Sequence, residues 1–223
     1  MRTLLLIVSL TVICCGSLNA QVISIPTGKT LIQSETPFGE SSTIKLEYVR
    51  NADGNEVPIK TEQGKINNVA YRFYYHDGSG MFAGKRELSL NDIEHLSSHW
   101  RVGCSKDAMS DRGSCYMSLR DLLIFVNADG KATLSIGSDH YPGSSVMLRI
   151  DNGAPVAMST RLLKGSFNFQ DSQKLIAQIS RAKTLTTRYR KWPDGYDRDD
   201  VWEEVYGFNE ALQYIRWAVA RIK

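Results

Sequence analysis

Apolar and polar residues alternate along most of this chain with the two-residue period of β-strands, and the spacing lengthens to a helical one in only a few stretches. Thr43 to Val49 alternates and is rich in β-branched residues. It meets Asn51-Ala52-Asp53-Gly54, a hairpin signal, and Val57 to Lys60 is the predicted return. Asn68 to Tyr75 places Val69, Tyr71, Phe73 and Tyr75 on one face and Ala70, Arg72, Tyr74 and His76 on the other. Further strands are predicted at Tyr116 to Leu119, Leu122 to Val126, Lys131 to Ile136 and Val146 to Asp151, with a second hairpin turn at Asn127-Ala128-Asp129-Gly130. Asn152-Gly153 leads into short strands at Pro155 to Met158 and Thr160 to Leu163. Thr184 to Trp192 and Val201 to Tyr206 are the last.

The helical stretches are distinct. Asn91, with Glu94 three residues on, predicts a short capped helix running out near Ser98. Asp171 or Ser172 caps a second, whose Leu175, Ile176 and Ile179 share a face. Gly207-Phe208-Asn209 turns into a final helix with the stripe Phe208, Leu212, Ile215, Val219 and Ile222. No strand–helix alternation is present, so a doubly wound parallel sheet is not expected. The expected fold is mainly β (α+β): an antiparallel β-sandwich or half-barrel with two helices of the C-terminal half packed on it. Residues 21–90 are read as an N-terminal β-rich segment, opened by the proline-flanked stretch Gln21 to Phe38, and 91–223 as a sandwich-like domain.

The first twenty residues set the expected compartment. Arg2, the apolar run Leu4 to Cys15 and the exit Gly16-Ser17-Leu18-Asn19-Ala20 have the shape of a secretory signal peptide cut after Ala20. That run is shorter than the roughly 20 residues a spanning helix needs. Lipoprotein processing at Cys14 or Cys15 is the rival, and the branched Thr11, Val12 and Ile13 before them argue against it. The leader takes two of the four cysteines with it, leaving Cys104 and Cys115, which are expected to pair outside the cytoplasm. A net charge of +3 gives little basic excess, so a nucleic-acid partner is not expected.

Trp100, the cysteine pair flanking Asp107-Ala108-Met109, Val146-Met147-Leu148-Arg149-Ile150-Asp151 and Gly207-Phe208-Asn209-Glu210-Ala211-Leu212 together resemble the invasion-associated locus B-like group of exported bacterial proteins, over roughly residues 100–219. The resemblance implies a β-sandwich in the periplasm or on the cell surface and carries over no catalytic residue. The chain departs from that group in having no cysteine after Cys115 and in its long segment before Trp100.

Motifs for chemistry are sparse. There is no Gly-x-Ser-x-Gly elbow and no phosphate-cradling glycine loop. Glu203 and Glu204 are adjacent and would face opposite ways in a strand. His95 and His99, four apart on the predicted short helix, are a metal candidate set against an ordinary solvated face. Asp107, Asp111 and Arg112 between the cysteines are a possible binding edge or simply a stapled loop. The leading interaction candidate is Arg188-Tyr189-Arg190-Lys191-Trp192, with Arg188, Arg190 and Trp192 on one face and Tyr189 and Lys191 on the other. Such a face suits anionic sugars, phosphates or a protein. The bland reading is an edge strand guarded by positive charge, with Asp197, Asp199 and Asp200 neutralising it. The functional expectation is an exported, non-enzymatic binding or structural module of the cell envelope that recognises a protein or anionic component and uses no cofactor. The alternatives are a hydrolase-type envelope enzyme, and an accessory subunit docking through its C-terminal helix.

Overall fold

A computed structural model describes residues 32, 36–38, 42–50, 53–89, 97–159 and 165–222. Eight strands follow one another in sheet order as in sequence: β1 (Thr43–Arg50), β2 (Glu56–Ile66), β3 (Val69–Tyr74), β4 (Gly80–Ala83), β5 (His99–Lys106), β6 (Gly113–Leu119), β7 (Leu122–Asn127) and β8 (Ala132–Ile136). Every neighbouring pair is antiparallel, which is what short hairpin turns dictate. A second antiparallel sheet, in the order β10-β9-β11-β12, is made of β9 (Ser145–Ile150), β10 (Val156–Ser159), β11 (Leu185–Arg190) and β12 (Asp197–Trp202). Helices α1 (Phe169–Ile179) and α2 (Phe208–Val219) complete the described elements, α1 against β8 and α2 across β4 to β7. The two sheets do not close into a barrel, and the sequence-based expectation of an α+β, sandwich-like fold holds.

Outside β1, whose Ile44, Leu46 and Tyr48 are exposed, the main alternating patterns place their apolar faces inward. Val69, Tyr71, Phe73 and Tyr75 are all buried, as are Leu122, Ile124 and Val126 on β7. The apolar stripe of α2 is buried through Phe208, Leu212, Ile215 and Val219, which removes the docking face that an accessory subunit would have offered. Asn168, not Asp171 or Ser172, is the N-cap of α1: its side-chain oxygen accepts from the Asp171 N–H at 2.9 Å, and Ser172 is buried within the helix.

Three elements differ from the sequence reading. β4 and β5 were not predicted as strands. β4 is only four residues long, and β5 contains Gly103, above which the Tyr116 ring lies so closely that a Cβ would stand 2.8 Å from it. The last strand is Asp197–Trp202 instead of Val201 to Tyr206. Aspartates are poor strand formers, and here the β11 arginines opposite them supply the pairing. Residues 90 and 91, where the two sequence segments were divided, lie between β4 and β5, which pair within one sheet. The predicted leader, most of the stretch Gln21 to Phe38, most of the helix at Asn91 and the strand Thr160 to Leu163 lie outside the described residues.

Cys104 and Cys115 face each other directly across β5 and β6 and form a disulfide, with Cα atoms 4.0 Å apart. Closing a loop of this size stabilises the fold by roughly 3 kcal/mol in the chain-entropy model. Tyr189 seats the smaller sheet against the larger one. Gly137, at φ +67°, leaves room for that ring, and a Cβ at this position would stand 2.6 Å from it.

Candidate functional site

The arginine-rich strand is an interior strand of its sheet, between β9 and β12, so the guarded-edge reading does not apply. Tyr189 turns inward and is 5% exposed, while Arg188 and Arg190 project outward as the alternation requires. Neither arginine is an unspent cation. Arg188 grips Asp199 with two parallel 2.5 Å hydrogen bonds, and Arg190 Nε donates to Asp197 at 3.0 Å. These are the residues directly opposite them in the β11–β12 register. The Arg188 guanidinium holds the Asp199 carboxyl below the usual carboxylate range. The predicted cationic face is therefore neutralised within the strand pair itself.

Of the two predicted aromatics, Tyr189 is buried and Trp192 stays open to solvent. Trp192, just past the end of β11 and joined to Pro193 by a cis peptide, is 54% exposed. Its ring lies 5.3 Å from that of Tyr141, tilted by 45°. Backbone bonds hold the pair together. The Tyr141 N–H donates to the Arg190 carbonyl at 2.8 Å and the Trp192 N–H to the Asp139 carbonyl at 2.6 Å, while His140 bridges to Lys191. Tyr196, 59% exposed, follows four residues after Trp192, with the Arg198 guanidinium 5.8 Å over its ring. Arg198 is itself anchored on Asp194 at 2.5 Å. Tyr141 and Tyr196 were not singled out in the sequence. Tyr141-Pro142-Gly143-Ser144 read only as a loop, and only the fold brings it to the end of β11.

Behind this platform lies a polar cluster at the junction of the two sheets. Burial, and then the Asp200 carboxylate, raise the Asp121 carboxyl above its ordinary range. A hydrogen bond from the Tyr189 hydroxyl, and the charges of Arg198 and Arg120, pull the other way. Arg120 donates to Asp200 at 3.0 Å, and Asp200 accepts from the Trp202 indole at 2.7 Å. A folded-state acid held above its unfolded value adds stability at low pH and loses it as pH rises through the folded value. Asp121→Asn is accordingly expected to stabilise the protein more at pH 8 than at pH 4, by under about 1 kcal/mol given the cluster's partial exposure. Melting curves at the two pH values check this, and a loss of stability at pH 8 would show that the ionised carboxylate holds the junction together.

A cleft of about 610 Å³ opens beside the cluster, lined by Arg86, Arg120, Trp202, Glu203 and Glu204 among others. Its Glu204 is held by Arg86 at 2.6 Å. The other sequence candidates fall elsewhere. His99 is on β5, not on a helix, and is 1% exposed, so it cannot share a solvated helical face with His95, which lies outside the described residues. Among the described residues no three His, Cys, Asp or Glu side chains gather as a metal site. Asp107 accepts from the Met109 and Ser110 N–H groups at 3.0 and 2.7 Å and ties its own loop, while Asp111 pairs with Lys106 at 3.1 Å. The stapled-loop description fits these residues. Among the described residues, no helix is long and apolar enough to cross a membrane. No protein-family model, curated protein or solved structure matches this chain.

Proposed function

We propose that this protein is an exported module of the bacterial cell envelope that acts by surface recognition, with Trp192 and Tyr141 as its contact and a saccharide chain as the ligand class. The carrying observation is the large exposed indole held against a second ring by backbone bonds on both sides. An aromatic pair fixed in this way loses little freedom on binding, and ring faces accept the C–H face of a pyranose. The neutralisation of Arg188 and Arg190 moves the reading away from anionic ligands and towards sugar rings. Export is supported by the signal-like leader, by the disulfide and by the resemblance to the locus B-like group.

Titration of the exported protein with soluble peptidoglycan fragments, followed by indole fluorescence, tests the proposal. Trp192→Ala is expected to weaken binding by about tenfold or more. The melting temperature should hardly move, because the side chain is exposed. Arg188→Gln should leave affinity unchanged. Equal binding by Trp192→Ala, or no binding by the parent protein, defeats the proposal.

A hydrolase-type reading has one observation in its favour: Asp121, raised by burial and by a neighbouring carboxylate, is the kind of group that serves as a general acid. The Tyr189 hydroxyl and two arginines already engage it, which is why recognition is preferred here.

A further inference from the structure

The eight-stranded sheet ends in an edge with an unusual pattern. β1 is its first strand, and among the described residues no strand pairs with its outer side. Ile44, Leu46 and Tyr48 stand on one face of β1 and are 48%, 60% and 66% exposed. Their register partners Glu62, Lys60 and Pro58 place them on the same face as the buried Phe73, on the far side of that β2 row. The other face carries Lys45 and Glu47, both exposed, and among the described residues neither makes an ion pair. An open strand edge is a template for another strand.

We propose that β1 pairs with β1 of a second copy of this chain, antiparallel about a two-fold axis through Leu46, joining the two large sheets into one. The sequence of the strand selects this partner and this register. A two-fold antiparallel pair sets residue i opposite a partner residue j with i + j constant. Constants that are odd would mate the apolar stripe of one copy with the charged stripe of the other, because a one-residue slip exchanges the faces. Among even registers, centring on Lys45 opposes two lysines and centring on Glu47 opposes two glutamates. Centring on Leu46 sets Lys45 against the partner's Glu47 and Glu47 against the partner's Lys45. On the other face it sets Ile44 against the partner's Tyr48, and Leu46 against the partner's Leu46. Both faces are then self-complementary, and the exposed apolar stripe becomes continuous across the axis. The dimer leaves the Trp192 platform free, since that platform belongs to the other sheet.

Sedimentation equilibrium on the full exported chain over a wide concentration range tests the proposal. The parent protein is expected to show a monomer–dimer equilibrium. Lys45→Glu, which faces two carboxylates with two carboxylates, is expected to weaken the dimer by about tenfold. Glu47→Lys should do the same, and the double exchange Lys45→Glu/Glu47→Lys should restore affinity to within about threefold, a recovery that a merely destabilised fold would not give. Unchanged melting temperatures keep the comparison clean, because both side chains are exposed. A parent protein that stays monomeric, for instance because another part of the same chain covers β1, overturns the proposal. So does a dimer that is indifferent to the charge exchange.

Discussion

Trp100→Ala is expected to cost about 3–5 kcal/mol of folding stability, the range for deleting a fully buried large aromatic. Trp100 is completely buried and is the point where three elements meet. It stands on β5 of the larger sheet. Its ring lies 5.5 Å from Trp202 on β12 of the smaller sheet and 5.5 Å from Phe208 at the start of α2. Its indole N–H donates to the Tyr206 carbonyl at 2.8 Å, in the turn that launches α2. Gly207 next to it, at φ +73°, is pressed against the Ala83 carbonyl so closely that no Cβ fits, and the turn has no freedom to close over a cavity. The loss should therefore lie near the upper part of the range. Trp100→Phe separates the contributions: it keeps most of the ring contact but leaves the Tyr206 carbonyl without its donor, at a cost of about 1–3 kcal/mol. Urea denaturation of the oxidised protein measures both. A loss below 1 kcal/mol for the alanine variant would mean that the sheets and α2 are held together elsewhere.

Glu62→Leu is expected to be nearly as damaging, for a different reason. Glu62 on β2 is completely buried, and its carboxylate accepts three hydroxyls: Thr36 at 2.7 Å, Tyr71 at 3.1 Å and Tyr75 at 2.5 Å. Burial, with the Glu62 carboxylate as a further cause, pushes both phenols well above their usual range, so they remain donors at any physiological pH. Thr36 and Phe38 lie over this network, with the Phe38 ring 4.7 Å from Tyr71. Leucine fills most of the volume but leaves the buried Tyr75 phenol without its acceptor and Tyr71 with only the Ser42 hydroxyl, at a cost of about 1–3 kcal/mol for each lost bond. Releasing a buried charge returns part of that, so the net loss is set at about 3 kcal/mol. Adding Tyr71→Phe and Tyr75→Phe to Glu62→Leu removes the orphaned hydroxyls together and is expected to recover more than half of the loss. If the triple variant is instead less stable than Glu62→Leu alone, the phenols are doing something other than satisfying the carboxylate.

The pattern of strands was largely legible because in strands such as β6, β7 and β11 one face is buried and the other wetter, which imposes the two-residue period on the sequence. The disulfide was legible because two cysteines remain once the leader is set aside. The candidate site was legible only in part. Trp192 could be found as an aromatic beside a basic run, but its partner Tyr141 lies 51 positions earlier. Arg188 and Arg190 looked like a binding face because pairing depends on register, and the register that sets them opposite Asp199 and Asp197 is not written in either strand alone. β12 was misplaced for the same reason, since an acidic run becomes a strand only when its cations are supplied from across the sheet.

By itself, then, the chain's alternation determined that it builds antiparallel sheets with two helices whose apolar stripes are buried, because local periodicity decides which side of each element avoids water. The tertiary structure alone decided which charges are spent and which ring stays exposed: these depend on long-range pairing between strands, where a partner dozens of residues away changes a cation from a contact surface into half of an ion pair.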